Sequence, residues 1–182
     1  MKLYQFLANG FEECEALGTV DVCTRAGMDV IMVSVTGNLL VESAHGVKIM
    51  ANQLFEECDF NDADILMLPG GIPGATNLLA HNGVCEALKH HFQDGKMIAA
   101  ICAAPLVLGQ LGLLKGKKAT CYPGFEDQLI GATSTSALVE KDGQIITGKG
   151  PGASFALGYA IVEHFRGTAV AEAIKEGMIY NF

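Results

Sequence analysis

Apolar positions along the chain form two alternating patterns, short continuous runs and longer stretches with helical spacing. The short runs are typical of strands buried on both faces of a parallel sheet, and they occur at 3–8, 30–35, 65–68, 97–101 and 118–122. The stretches between them predict helices at 12–26, 53–58, 76–81, 83–92, 106–113, 153–166 and 169–176. This alternation predicts an α/β fold, in which a mostly parallel central sheet carries helices on both faces.

Two further pairs of apolar segments flank tight turns and predict β-hairpins. The first hairpin joins 39–41 to 47–50 around Ala44-His45-Gly46, and the second joins 138–140 to 144–147. No repeat, low-complexity tract or linker interrupts the pattern, and 182 residues are enough for one sizeable core. We therefore expect residues 1–182 to form a single domain.

Composition and charge argue against several classes of protein. Only 18% of the residues are charged, and the net charge of −8 comes without a basic stripe, so we expect no binding to nucleic acid or to an anionic membrane surface. No apolar run approaches the ~20 residues of a transmembrane helix, and the first residues lead into a strand without a signal-peptide core. Six cysteines without a C-x-x-C pair indicate neither a disulfide framework nor a zinc site. These features predict a reduced, cytoplasmic compartment.

Cys102 directly follows the apolar run 97–101 and precedes Pro105, which suits the first turn of a helix. A residue at this strand-to-helix turn lies at the carboxyl end of a parallel strand, where α/β folds bind ligands. The nearby helix N-terminus is expected to lower the pKa of the thiol below its free value of about 8.5. The position fits a nucleophile, and it also fits a small buried cysteine without a chemical role.

Two other segments end at the same predicted edge of the sheet. Glu15 lies just beyond the first strand and comes near Cys102 if the two strands are neighbours, so that carboxyl and thiolate share a proton. Gly70 and Gly71 follow the third apolar run, and their N–H groups, with that of Ala103, would form an oxyanion hole. Spacing alone also allows a glutamate that only compensates the helix dipole, and a glycine turn without a ligand.

Other catalytic and cofactor motifs are missing from the sequence. It contains no H-E-x-x-H, no G-x-S-x-G and no G-x-x-x-x-G-K-[ST]. We therefore expect neither a metal ion nor a nucleotide cofactor. Among the histidines, His45 is the one placed to act, because the tip of the first predicted hairpin can reach over a site.

Taken together, these motifs resemble those of the ThiJ/PfpI superfamily, the DJ-1-like proteins, and most closely its DJ-1/ThiJ branch. The matching segments are Ala8-Asn9-Gly10-Phe11-Glu12-Glu13-Cys14-Glu15, Leu68-Pro69-Gly70-Gly71, Ala99-Ala100-Ile101-Cys102-Ala103-Ala104-Pro105 and Gly150-Pro151-Gly152. The resemblance implies a flavodoxin-like three-layer sandwich, a homodimer, a reactive Cys102 and a partly protonated Glu15. It also implies a glutathione-independent glyoxalase or protein deglycase, an oxidative-stress sensor, or a chaperone.

The sequence departs from the family pattern at three positions. Ala103 stands where the peptidase branch has a histidine after its cysteine, which makes an intracellular cysteine peptidase the least favoured function. Tyr122 stands where many DJ-1 members have a histidine near the cysteine, so any role as a base is left to Glu15. His45 stands where some relatives carry an arginine that lines the site from the partner subunit.

The resemblance and the residues together predict an enzyme without a cofactor. It would convert an α-oxoaldehyde such as methylglyoxal into a 2-hydroxy acid such as lactate, and would also repair early carbonyl adducts on glycated protein. Cys102 would add to the aldehyde, Gly71 and Ala103 would hold the oxygen, and Glu15 would move the proton. Gly70, His45 and Tyr122 complete the predicted substrate site. A cysteine-based sensor or chaperone with little turnover is the alternative.

Overall fold

The computed structural model of the chain describes residues 1–180, so the last two residues of the predicted domain lie outside the described part. Its strands are β1 (Lys2–Leu7), β2 (Asp29–Ser34), β3 (Leu40–Glu42), β4 (Lys48–Met50), β5 (Gln53–Leu54), β6 (Ile65–Leu68), β7 (Met97–Ile101), β8 (Lys118–Ala119), β9 (Thr133–Ser134), β10 (Val139–Asp142) and β11 (Ile145–Gly148). Its helices are α1 (Glu13–Arg25), α2 (Gly74–Ala80), α3 (Asn82–Gln93), α4 (Pro105–Gln110), α5 (Ser154–Arg166) and α6 (Thr168–Gly177).

The central sheet has seven strands within the described residues, in the order β10-β11-β7-β6-β1-β2-β5. Its pairings are parallel, apart from that of β10 with β11. Strands β6 and β7 are buried along their whole length, as continuous apolar runs in a sheet covered by helices should be. The mostly parallel α/β sheet and the two antiparallel hairpins, β3–β4 and β10–β11, confirm the predicted architecture. No helix in residues 1–180 combines the length and apolar character needed to cross a membrane.

Helix α1, which carries Glu15, is held closely against α5. A methyl group on Gly158 of α5 would lie only 2.8 Å from Cβ of Val22 in α1, so the glycine lets the two helices approach. The hydroxyl of Thr19 donates a hydrogen bond to the carbonyl of Glu15 at 2.9 Å. The first turn of α1 is thereby positioned at the carboxyl end of β1.

The segment 53–58 departs from the predicted pattern. Its first two residues pair with β2 as the edge strand β5, and Phe55–Glu57 form a 3-10 helical turn instead of an α-helix. Six residues are too few for helical spacing to be distinguished from a strand followed by a turn. The open edge of β2 decides between them by offering backbone partners.

Two other elements are shorter than predicted. The segment 118–122 contributes only β8, which pairs with β9 outside the main sheet. At the next residue, the N–H of Thr120 donates to the side chain of Thr147 and not to a strand of the main sheet. Helix α4 ends at Gln110 instead of Leu113. Gly112 follows with φ of +74°, a left-handed conformation that commonly terminates helices.

Candidate active site

Cys102 lies at the turn between β7 and α4, at the carboxyl end of the sheet. Its φ of +64° is a left-handed backbone conformation that costs a residue with a side chain about 1–3 kcal/mol. Its N–H donates to the carbonyl of Gly148 at 2.9 Å, and its carbonyl accepts the N–H of Tyr122 at 2.9 Å. The strained turn is thus held from both sides, and the side chain is almost buried, with 8% exposure.

Glu15 comes from the first turn of α1 and is completely buried. Its Oε2 accepts the N–H of Gly70 at 2.7 Å, and its carboxyl lies next to the side chain of Cys102. A surface glutamate that only compensates the helix dipole would make neither contact. The structure therefore places a carboxyl group directly beside the thiol.

The two side chains meet although their strands are not neighbours. From the sequence we expect this contact only if β1 and β7 are neighbours, but β6 lies between these two strands. The turn after β6 bridges the gap, because a methyl group on Gly70 would lie 2.7 Å from Oε2 of Glu15 and 2.8 Å from Cβ of Cys102. The absence of a side chain at this position leaves the space in which carboxyl and thiol make contact.

Two backbone N–H groups, those of Gly71 and Ala103, face the sulfur of Cys102 and act to lower the pKa of its thiol. Gly71 has φ of +85°, and a methyl group there would lie 2.5 Å from the backbone nitrogen of Glu12, so its conformation and its close approach both require glycine. Gly70 was expected to share the oxyanion hole, but its N–H is used by Glu15. Gly70 is therefore a positioning residue for Glu15, and the two donors that face the sulfur come from Gly71 and Ala103.

The environment shifts the proton affinity of both side chains. Burial raises the pKa of Glu15 to about 7 from an ordinary 4.5, against the opposing hydrogen bonds from Cys102 and Gly70. Burial also raises the pKa of the Cys102 thiol, and the charge of Glu15 raises it further. The lowering of the thiol pKa predicted from the α4 N-terminus is therefore not found, because burial outweighs it.

Transfer of one proton between the carboxyl and the thiol would connect two states of the pair. When Glu15 holds that proton, its charge no longer opposes the thiolate, and the N–H groups of Gly71 and Ala103 remain to stabilise the sulfur anion. When the thiol holds the proton, the buried carboxylate keeps the N–H of Gly70 as its donor. Proton transfer within the pair would thus replace a thiolate nucleophile with a carboxylate base without a change in net charge.

Glu12 has a role that motif reasoning missed. Its Oε2 accepts the N–H of Glu15 at 2.7 Å and caps helix α1, and its charge also raises the pKa of Glu15. The signal was available in the sequence, because the predicted helix begins at Glu12 and acidic side chains are favourable at a helix N-terminus. Glu12 therefore helps to place the Glu15 carboxyl and favours its protonated form.

His45 and Tyr122 lie at the periphery of this pair. The Nδ1 atom of His45, in the β3–β4 turn, is 2.9 Å from Oε1 of Glu13, which anchors the hairpin to α1 two residues before Glu15. Tyr122 is bonded to Cys102 through its backbone N–H, and its side chain is 47% exposed. Both residues thus lie close to the pair, and their role in substrate binding stays a prediction.

Three possible metal ligands also lie close together near α1. Oxygen and nitrogen atoms of Glu12, Glu13 and His45 fall within 4.8 Å of one another. Glu12 is already engaged as the helix cap, and Glu13 is paired with His45. These contacts account for the cluster within the protein, and we assign no metal to it.

Comparison with known proteins places the chain among relatives of similar sequence. The sequence profile of the DJ-1/PfpI family matches residues 1–164. The chain is 38% identical over 175 residues to Protein DJ-1 homolog B of Arabidopsis thaliana, with 95% of this chain but 40% of that relative covered. Protein DJ-1 homolog A of the same plant is 37% identical over 172 residues, which cover 93% of this chain and 44% of the relative. The chain therefore spans less than half the length of these two relatives.

Other relatives match over nearly their full length. The Parkinson disease protein 7 homolog of Danio rerio is 37% identical over 179 residues, which cover 95% of this chain and 94% of the relative. A protein of Pyrococcus abyssi named as a deglycase is 30% identical over 158 residues, which cover 86% and 94%. Among solved structures, oxidized Toxoplasma gondii DJ-1 superposes with a TM-score of 0.95 at 33% identity, covering 100% and 99% of the two chains. Drosophila melanogaster DJ-1beta gives 0.93 at 31% identity, covering 100% and 98%.

Proposed function

The chain belongs to the DJ-1/PfpI family, and on this premise we propose that it converts α-oxoaldehydes such as methylglyoxal into 2-hydroxy acids such as lactate. The observation that carries the proposal is the position of the buried Glu15 carboxyl beside Cys102, with both side chains against Gly70. It supplies a nucleophile and a proton carrier side by side, beside two N–H donors. The relative named as a deglycase supports a related activity, the removal of early carbonyl adducts from glycated protein.

The first step is addition of the thiolate to the aldehyde. With the shared proton on Glu15, the sulfur of Cys102 attacks the aldehyde carbon, a C–S bond forms, and the carbonyl electron pair moves to oxygen. The N–H groups of Gly71 and Ala103, which face the sulfur and act to lower the pKa of the thiol, are placed to stabilise this oxyanion. Glu15 then donates its proton to the oxygen, which gives a hemithioacetal and leaves a carboxylate.

The second step moves hydrogen between the two carbons. The Glu15 carboxylate removes the proton from the carbon bonded to sulfur, and protonation of the neighbouring ketone oxygen gives an enediol. Return of a proton to the second carbon, with loss of the hydroxyl proton on the first, produces a thioester of a 2-hydroxy acid. This isomerisation needs no oxidant or reductant. Water then cleaves the thioester, releases the acid and restores the thiol.

A glutathione-free assay tests the proposal directly. We expect the protein to form lactate from methylglyoxal without added thiol or metal, with lactate and the remaining substrate followed by proton NMR. Formation of hemithioacetal without lactate, or no consumption of methylglyoxal at all, would contradict the enzymatic function.

A redox sensor or protective chaperone with little turnover is the second candidate. A nearly buried thiol with two N–H donors and a neighbouring carboxyl suits a sulfinate, because these groups would hydrogen-bond its oxygens. A structural neighbour is described as oxidized Toxoplasma gondii DJ-1, which is consistent with this chemistry. Peptide mass spectrometry after mild peroxide treatment distinguishes the two: selective oxidation of Cys102 in a protein that forms no lactate favours the sensor.

We further propose that the chain acts as a homodimer through a groove between α1 and α5. The groove has a volume of about 360 Å³ and is lined largely by apolar surface, including Cys14, Leu17, Pro151 and Phe155. Leu17 is 42% and Phe155 is 41% exposed, which is unfavourable for large apolar side chains in water. Sedimentation equilibrium should give twice the chain mass of 19.2 kDa, and Leu17→Asp should shift it towards the single-chain mass. A parent protein that sediments as one chain would contradict the dimer.

A further inference from the structure

A cavity between helix α3 and the loop that leads into β6 has no role in the chemistry described above. It has a volume of about 360 Å³ and is lined by residues 58–61 together with Glu86, Ala87, His90 and His91. The loop enters β6 at its amino end, whereas Cys102 follows the carboxyl end of the parallel strand β7. The cavity is therefore remote from the reactive cysteine, and its size suits a small organic ligand.

His91 forms the deepest part of the cavity wall. It is 3% exposed, whereas the other lining residues are half-buried or exposed. Burial lowers the pKa of His91 to about 4, so at neutral pH the ring is uncharged and one of its nitrogens can accept a hydrogen bond. Its Nε2 atom is buried and has no hydrogen-bond partner within residues 1–180. Because an unsatisfied buried polar atom destabilises the folded chain, a donor supplied by a ligand would be favourable here.

Two carboxylates line the cavity, and no lysine or arginine is among the described residues that line it. Asp59 uses Oδ1 to accept the backbone and side-chain N–H groups of Asn61, at 3.0 and 2.8 Å. Glu86 pairs with Lys89 at 2.9 Å, but its side chain is 73% exposed, and such surface pairs are weak. Burial raises the pKa of the Cys58 thiol to about 11, so this group adds no charge at neutral pH. The lining therefore suits a cationic ligand.

The remaining wall is apolar and is fixed from behind. The ring of Phe60 packs edge-on against those of Tyr4 and Phe6, with centroid distances of 5.2 and 5.3 Å. Ala87 contributes only a methyl group from α3. A hydrocarbon body can therefore lie in the cavity while a polar group reaches His91.

We propose that this cavity binds a small organic amine, whose ammonium group donates to the Nε2 atom of His91 while Asp59 and Glu86 balance its charge. Nε2 accepts this bond in the tautomer that carries its proton on Nδ1, so the ligand selects that tautomer. Burial of the hydrocarbon body of the amine against Phe60 adds to the affinity. The site goes beyond the proposed function and does not depend on it.

Two probes that share a benzyl group test the site. Benzylamine is a cation at neutral pH, and benzyl alcohol has the same ring without the charge. By isothermal titration calorimetry of the full chain at about pH 7, we expect one benzylamine per chain, bound at least about tenfold more tightly than the alcohol. Equal affinities would overturn an ammonium site, and the absence of benzylamine binding would overturn the cavity as a site for amines.

A matched pair of variants tests the charge. Glu86→Gln keeps the shape of the side chain and removes its charge, and it should weaken benzylamine binding about three- to fivefold. Glu172 pairs with Lys175 at 2.7 Å in the same i,i+3 arrangement as Glu86 with Lys89, but it does not line the cavity. Glu172→Gln should therefore leave the affinity unchanged. An equal fall in both variants would assign the binding to the overall negative charge and overturn the site.

The role of His91 is tested in the parent and in one variant. His91→Phe keeps an aromatic ring and removes the acceptor, so it should weaken benzylamine binding about tenfold and leave the affinity for benzyl alcohol unchanged. In proton–nitrogen NMR spectra of the labelled parent, benzylamine should shift the Nε2 signal of His91 towards that of an unprotonated nitrogen that accepts a hydrogen bond. An unmoved signal would overturn the proposal even if His91→Phe fails to fold.

Discussion

Replacement of Cys102 with alanine is expected to abolish the formation of lactate from methylglyoxal. The variant cannot form the C–S bond on which every later step depends, and loss of a catalytic nucleophile lowers kcat by several orders of magnitude, about 10⁶-fold in one well-studied protease. We expect a loss of at least about 10³-fold, measured by proton NMR under the conditions used for the parent. Alanine adopts the left-handed backbone conformation of Cys102 at a similar cost, so the variant should fold like the parent.

Another buried cysteine provides the matched control. Cys85 in α3 has the same 8% exposure as Cys102, and its thiol donates to the carbonyl of Leu79 instead of contacting a carboxyl group. Cys85→Ala should therefore retain activity. A Cys102→Ala protein that converts methylglyoxal at the parent rate would exclude Cys102 as the nucleophile.

Replacement of Glu15 with glutamine should reduce lactate formation by about 10²–10⁴-fold, the range typical of a lost general acid–base catalyst. The amide oxygen of glutamine can still accept the N–H of Gly70, which Oε2 accepts at 2.7 Å in the parent. The amide cannot carry the proton between the thiol and the two carbons. Because Glu15 also takes up the thiol proton and delivers it to the oxygen of the adduct, hemithioacetal formation should slow as well, and the expected NMR result is methylglyoxal that persists without lactate.

The stability of the same variant shows whether its inactivity has a structural cause. The folded pKa of Glu15 is about 7 and its ordinary value is 4.5, so between these pH values the folded protein binds more protons than the unfolded one. The free energy of unfolding contributed by Glu15 therefore falls as the pH rises through this window. The Glu15→Gln variant has no carboxyl group at this position, so its free energy of unfolding does not fall in this window. Its stability relative to the parent should therefore increase by about 2 kcal/mol between about pH 5 and about pH 8.

Urea unfolding of both proteins at the two pH values measures this difference. Burial lowers the pKa of His91 to about 4, which makes stability rise with pH below the ordinary value of 6.5 and so opposes the contribution of Glu15. His91 is present in both proteins, so the comparison isolates Glu15. Identical pH dependence of stability in parent and variant would contradict a raised pKa at Glu15. If the variant is unfolded at both pH values, its inactivity is due to misfolding.

Local sequence determined most of the elements and the position of Cys102. The continuous apolar runs at 65–68 and 97–101 predict buried strands because a strand covered on both faces needs no polar side chains, and both strands form as predicted. Cys102 follows the second run immediately, so its place at a strand-to-helix turn depends only on neighbours in sequence. The helix predicted at 53–58 is wrong because the structure of this segment depends on pairing with the distant strand β2.

Tertiary structure alone decided how the site is assembled and charged. Glu15 and Cys102 are brought together across the intervening strand β6, because Gly70 both donates its N–H to the carboxyl and leaves space beside the thiol. The helix-dipole argument predicted a lower thiol pKa, whereas burial and the nearby Glu15 charge raise it. Motifs in the sequence therefore determined which groups are present, and packing around them determined which group holds the proton, because desolvation and contact between distant segments exist only in the folded chain.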